Sequence, residues 1–270
     1  MTSASAATFF KLEGLANDFV LIDARETAFT PGEREVRAWA DRRTGIGFDQ
    51  MLVLHPDPAA LARVEIRNAD GSSAEQCGNG MRAIAAWLDE RGELGSGGEL
   101  NTPAGPVCIS PADTGRFTAI LPGPTVLDPE LLGLEPLQLD DQNPYPTLVS
   151  MGNPHVVMTA SREPDETSLR RAVQQIERQK GWRNAANISL AHSGSEGALM
   201  LRVHERGVGP TAACGSAACA AAWVVMAQRN RFGPIEVRQP GGSLVVDFER
   251  DSGRVATTGP ARLVFEGRMR

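Results

Sequence analysis

The sequence predicts an α+β protein made of two similar halves, on three observations. Short apolar runs bounded by Gly, Pro, Asn and Asp recur along the chain and read as strands, while few stretches carry helical spacing. Two of those few, EQCGNGMRAIAAWL (75–88) and AACGSAACAAAWVV (212–225), open alike, with a cysteine and a glycine directly ahead of the apolar face and a tryptophan further on, Trp87 and Trp223. A turn glycine precedes each, Gly71 and Gly207, and a repeat at half-length in 270 residues favours two domains of ordinary size.

In chain order, TFFKLEGLANDFVLID reads as two strands around a Gly-Leu-Ala-Asn turn. Thr30-Pro31-Gly32-Glu33 fits a capping box with proline at the first helical position, which predicts a helix over 31–43 with Val36, Trp39 and Ala40 on one face. MLVL (51–54) and RVEI (63–66) are strands, the second running into NADGSSAEQCGNG; Met81, Ile84, Ala85 and Leu88 then mark a helix ending at Gly92. Residues 99–121 read as short strands with turns at Pro103-Ala104-Gly105 and Asp113-Thr114-Gly115. The proline-dense LPGPTVLDPELLGLEP (121–136) is the expected crossing between domains. The second half repeats the plan: PTLVSMGNPHVVM as strand, turn, strand; an amphipathic helix near 165–180 with Leu169, Val173 and Ile176 on one face; NISLA and ALMLRVHE as strands; the second cysteine helix from about 215 to 230; and EVRQ, SLVVDFER and RLVFEG as closing β-structure.

Composition removes several classes of function. With 41% hydrophobic and 22% charged residues the chain is globular, and its net charge of -6 offers no basic footprint for nucleic acid. No apolar run approaches the roughly 18 to 20 residues of a membrane helix, and MTSASAATFF lacks the charged leader and apolar core of a signal peptide, so the cytoplasm is the expected compartment. Cys77, Cys108, Cys214 and Cys219 are then expected as thiols, with Cys108 and Cys219 as packing thiols.

The two remaining cysteines sit where chemistry is available. The first amides of a helix lack internal partners and carry the positive end of the dipole, which pushes a thiol towards thiolate and binds a carboxylate; glycine after the cysteine lets a ligand approach the backbone. Two such starts facing one α-carbon could remove its hydrogen from one side and return one from the other, inverting configuration. A pyridoxal enzyme would need a lysine for its Schiff base, and the only lysines are Lys11, in the first strand, and Lys180, at the end of a charged helix; no cofactor is expected. A single-thiol hydrolase using His155 or His204 leaves the second copy unexplained, and no C-x-x-C or H-x-x-x-H spacing supports a metal site. His192 and His204 read as surface or strand residues.

At this point KLEGLANDFVLID, RRTGIGFDQMLVL, RNADGSSAEQCGNGMR, VSMGNPHVV, NAANISLA and RVHERGVGPTAACGSAAC, six blocks in order, resemble the diaminopimelate epimerase family over nearly the whole chain. The resemblance implies two pseudo-symmetric domains, each a strongly curved, mostly antiparallel sheet wrapped around a central helix, with the active site in the interdomain cleft. It implies a last strand returning to the first half, hence domains 1–121 plus 261–270 and 122–260, and usually a homodimer. The implied activity is cofactor-independent epimerisation of LL-diaminopimelate to the meso isomer, in lysine and peptidoglycan precursor synthesis. Cys77 and Cys214 match the two acid/base thiols, and Gly78, Asn79, Gly215 and Ser216 the amides around the reacting carboxylate. Asn68, Asn153, Asn187 and Arg206 match the clamp on the distal end, with Asn17 and Gln50 lining the site. Glu205 matches the acidic residue near the substrate ammonium groups, and His155 a histidine close to one thiol.

Those types suit those roles: arginine donates two parallel bonds to a carboxylate, and asparagine can donate to a carboxylate or accept from an ammonium. The chain departs from the family pattern at Glu13, Ala16, Arg67, Pro210 and Ala217. These departures keep open a related two-cysteine racemase of another amino acid, such as histidine; a non-catalytic amino-acid-binding protein is the third reading.

Overall fold

The computed structural model describes residues 7–128, 146–179, 182, 186–194, 197–249 and 252–269. The chain divides into two compact units, Met1–Leu121 with Thr258–Arg270, and Pro122–Thr257. Lys180, and the expected crossing segment from 129 onward, lie outside the described residues.

The first unit contains β1 (Thr8–Gly14), β2 (Asn17–Asp23), α1 (Glu33–Ala40), β3 (Gln50–His55), β4 (Ala62–Asn68), β5 (Ser73–Ala74), α2 (Gly78–Glu90), β6 (Gly98–Thr102), β7 (Gly105–Pro111) and β8 (Arg116–Leu121). The second contains β9 (Thr125–Val126), β10 (Thr147–Ser150), β11 (Pro154–Thr159), α3 (Glu166–Glu177), β12 (Asn187–Ser193), β13 (Leu199–Glu205), β14 (Gly209–Thr211), α4 (Gly215–Arg229), β15 (Ile235–Gln239) and β16 (Gly242–Phe248). β17 (Val255–Pro260) crosses the division, and β18 (Arg262–Arg268) closes the chain, antiparallel to β1.

The two units share one wiring. β1 and β2 pair antiparallel, β2 and β3 parallel across α1, β3 and β4 antiparallel, and β4 joins β6 in parallel across α2. In the second unit β10 and β11 pair antiparallel, β11 and β12 parallel across α3, β12 and β13 antiparallel, and β13 joins β15 in parallel across α4. The α+β class and the two similar halves expected from the sequence are therefore present.

Strand faces alternate between the two helices of each unit. Val20, Ile22, Met51 and Val53 pack with Val36 and Ala40 of α1, and Leu148, Val156, Met158, Ile188 and Leu190 with Leu169, Val173 and Ile176 of α3. The opposite faces take α2 and α4, which are buried over most of their length. Each fully buried Val, Leu, Ile or Met contributes about 1.5–3 kcal/mol, and such residues hold both inner helices: Met81, Ile84 and Leu88 in α2, Val224, Val225 and Met226 in α4. Gly80 permits the contact at the start of α2: a Cβ there would stand 3.3 Å from both methyls of Leu52 and 3.4 Å from Cys77 Sγ.

One local expectation differs: the first helix, expected over 31–43, spans Glu33–Ala40. The first helix begins at Glu33 with Gly32 as its N-cap, so Pro31 lies outside it, and the reciprocal bond is Glu35 Oε2 accepting from Gly32 N at 2.9 Å. Glu33 and Glu35 both offer the capping spacing, and the later one wins. The strands β5, β9, β14 and β17 had no expectation in the sequence.

Candidate active site

Each inner helix starts on its cysteine. Cys77 is the N-cap of α2 (φ -150°, ψ 100°) and Cys214 the N-cap of α4 (φ -135°, ψ 117°), so both leave extended backbone just as the helix begins. Met81 N bonds to Cys77 O and Ala218 N to Cys214 O, which leaves the amides of Gly78, Asn79, Gly215 and Ser216 ahead of the first helical bonds.

In the first unit Cys77 Sγ accepts from Gly80 N at 3.3 Å. Asn79, buried, donates through Nδ2 to Asn17 Oδ1 at 3.3 Å, linking the helix start to the first residue of β2. Gln50 and Asn68 face each other across β3 and β4, and Gln50 Nε2 donates to Asn68 Oδ1 at 2.9 Å. Asn68 Nδ2 reaches Ser72 Oγ at 3.0 Å, so this pair bonds to its own turn rather than to the Asn17–Asn79 pair.

In the second unit Asn153 lies in the β10–β11 turn and its Oδ1 is 3.0 Å from His155 Nε2. His155 is opposite Asn187 in the β11–β12 register, and Asn187 Oδ1 accepts from Arg206 N at 2.9 Å. Glu205, the last residue of β13, accepts from Thr211 Oγ1 at 2.5 Å and acts on Cys214, whose Sγ is 3.4 Å from Ser216 Oγ. Every side chain expected at the site in this unit thus has a bond or charge contact within the set, and Gly215 follows Cys214 as the first residue of α4.

The electrostatics correct one expectation. A helix start alone would lower a thiol, but Cys214 is held well above its ordinary range, first by burial and then by the charge of Glu205; Ser216 pulls the other way and does not prevail. Cys214 is therefore a thiol at neutral pH. His155 is fully buried, and burial, with the charge of Arg206, lowers it to about 3, so its ring is neutral. Asn153 Oδ1 facing Nε2 makes that nitrogen the protonated one and leaves Nδ1 without a partner among the described residues.

Several residues bonded to the expected site residues were not singled out by sequence. Arg82 is fully buried one turn into α2 and donates to Asn79 Oδ1. Asp49 Oδ2 accepts from Asn17 Nδ2 at 2.7 Å. Gln239 Oε1 accepts from Cys214 N at 2.8 Å, and its Nε2 is buried without a partner among the described residues. Arg82 and Asp49 lie inside the quoted GNGMR and GFDQ blocks, which was the available signal; Gln239, in VRQPGG, had none. His192 is structural, its Nδ1 2.9 Å from Ala160 O.

Comparison with known proteins agrees. The diaminopimelate epimerase family profile matches residues 9–126 and 147–264. The chain is 37% identical over 272 residues to the diaminopimelate epimerase of Xylella fastidiosa (strain M23), covering 96% of this chain and 95% of that one. It is 36% identical over 277 residues to that of Alkalilimnicola ehrlichii, covering 97% and 98%. Its fold is similar to that of a solved hydroxyproline epimerase from Agrobacterium vitis, with TM-score 0.71 at 14% identity over 100% and 94% of the chains. With a cysteine at the N-cap position of an inner helix in both halves and matches running through both, the chain belongs to the diaminopimelate epimerase family.

Proposed function

We propose that this protein epimerises LL-diaminopimelate to the meso isomer by passing a proton between two thiols. The observation that carries the reading is the pair of topologically equivalent helices, each with a cysteine at its N-cap and first-turn amides ahead of the first helical bonds, in a chain of this family. In the LL-to-meso direction Cys77, whose sulfur accepts a helix-start amide, removes the α-hydrogen, and Cys214, held protonated by burial and Glu205, supplies one from the opposite side. The amides of Gly78, Asn79, Gly215 and Ser216 take up the negative charge that spreads onto the α-carboxylate as the C–H bond breaks. Asn68, Asn153, Asn187 and Arg206 hold the distal centre, Asn17 and Gln50 line the site, and Glu205 balances the substrate's ammonium charge.

Lys11 supports chemistry without a Schiff base, since its Nζ is committed to Asp18 and Gly47 O. The departures from the family pattern lie outside the thiols and the distal clamp, and leave the diaminopimelate reading in place. Glu13 accepts from Ala16 N and Arg262 Nε, and Arg67 pairs with Glu65. Ala217 is fully buried in α4, and Pro210 sits in β14 opposite His204.

No described helix is long and apolar enough to cross a membrane. A cytoplasmic role in lysine and peptidoglycan precursor synthesis follows from the same reading, as does a homodimer, for which β18 offers two exposed apolar side chains, Val264 and Phe265. The test is proton NMR in D2O with LL-diaminopimelate, and with L-histidine, L-lysine and L-glutamate for comparison. The reading expects meso product deuterated at the inverted carbon, lost in Cys77→Ala and in Cys214→Ala with the fold retained. Near-normal turnover in either variant refutes the two-thiol mechanism, and preference for another amino acid refutes the substrate.

A further inference from the structure

A line of side-chain hydrogen bonds runs from a buried guanidinium to a carboxylate. Arg82 Nη2 donates to Asn79 Oδ1, Asn79 Nδ2 to Asn17 Oδ1 at 3.3 Å, and Asn17 Nδ2 to Asp49 Oδ2 at 2.7 Å. Asp49 is itself pinned: it accepts from Asp18 N at 3.1 Å and from Arg42 Nη2 at 2.7 Å, and its own N–H donates to Asp18 Oδ1 at 3.1 Å. Arg42 spans both acids, with bonds of 2.7 and 2.9 Å to the Asp18 carboxylate, which also takes Lys11 Nζ at 2.5 Å. Strand β1, strand β2, the segment after α1 and the approach to β3 are thereby tied behind the two asparagines.

A carboxamide has nearly the same shape when turned over, but the turn exchanges its donor for its acceptor. An asparagine between hydroxyls or other amides tolerates either orientation. This pair does not, because both ends of the line are unambiguous: a guanidinium only donates and a carboxylate only accepts. Turning Asn79 would set its NH2 against Arg82, and turning Asn17 would set its carbonyl against Asp49. Both amides are therefore locked in one polarity, in which Asn17, half-buried, keeps one N–H and one oxygen lone pair uncommitted among the described residues. Complete burial of Arg82 is costly unless such partners are present, which makes the line more than incidental packing.

We propose that Asp49 and Arg82 are positioning residues for the epimerisation: they decide which atoms of Asn17 and Asn79 donate and which accept, and so which groups a bound amino acid must present there, with Arg42 and Asp18 holding Asp49. This rests on the substrate-facing reading of Asn17 and Asn79. A purely structural line would tie strands to helix without affecting turnover through Asn17.

The test is steady-state epimerisation of LL-diaminopimelate by the full chain as wild type, Asp49→Asn, Asn17→Ala and the double variant, with urea midpoints measured in parallel. Asp49→Asn keeps size and an acceptor but adds a donor, so Asn17 can turn over. It should lower kcat/KM about tenfold or more at a little-changed midpoint, since misplacement of an active-site group by about 1 Å can cost about a hundredfold. Asn17→Ala should lower kcat/KM at least as much, and the double variant no further than Asn17→Ala alone. Should Asp49→Asn fold poorly, Arg42→Gln, whose side chain is 57% exposed, should show the same non-additivity with Asn17→Ala. Undiminished kcat/KM in Asp49→Asn, or losses that multiply in the double variant, overturns the proposal while the two-thiol reading stands. Wild-type turnover by Asn17→Ala overturns it by removing Asn17 from the site, whereas no turnover by the wild type refutes the proposed function itself.

Discussion

Lowering the pH from 7 to 5 interrogates the buried imidazole of His155. In the unfolded chain this ring takes a proton near its ordinary 6.5; in the folded chain, burial and Arg206 delay protonation to about 3. The unfolded state thus binds a proton that the folded state refuses, so stability rises with pH across that window and falls as acid is added. Each pH unit well inside the window is worth about 1.4 kcal/mol, so moving from 7 to 5 costs about 2 kcal/mol. The carboxylates held low, Asp18 at about 2 and Asp23, Glu65 and Glu93 below their ordinary values, lose their contributions only as pH falls through a more acid range. Urea unfolding at pH 7, 6 and 5 should show the loss in wild type and its near-absence in His155→Gln, whatever that variant's stability at pH 7. Parallel pH dependences for the two proteins would refute the assignment to His155.

Two other perturbations test the local physics. Ala16 is exposed and left-handed (φ 60°), a conformation costing an L-residue about 1–2 kcal/mol, so Ala16→Gly should gain about 0.5–1 kcal/mol after the extra chain entropy of glycine; thermal or urea unfolding showing a loss would contradict this. Glu205→Gln removes a charge that holds Cys214 protonated, so the pH midpoint for alkylation of the Cys214 peptide, followed by mass spectrometry, should move down; an unchanged or higher midpoint would assign the raised thiol to burial alone.

What could be read from the sequence was whatever depends on near neighbours. The GLAN hairpin, the apolar faces of α2 and α4 and the cysteines at their starts follow from spacing and turn chemistry within a few residues. The two-residue strands Ser73–Ala74 and Thr125–Val126 carry too few side chains for a pattern, and VATTGP in β17 is too polar and ends in proline, so pairing there is decided by the strands alongside. The site divides the same way. The helix-start dipole at Cys214 is a local property, and by itself it argues for a thiolate; the burial that reverses it, and the turn that brings the Glu205 carboxylate nine residues upstream against the sulfur, exist only in the folded chain. Asp49, Arg82 and Gln239 likewise acquire meaning only through partners such as Asn17, Asn79 and the Cys214 amide. Sequence can thus name the groups able to move a proton, but which of them holds it at rest is set by desolvation and charge, and those exist only once the strands have closed around the helix.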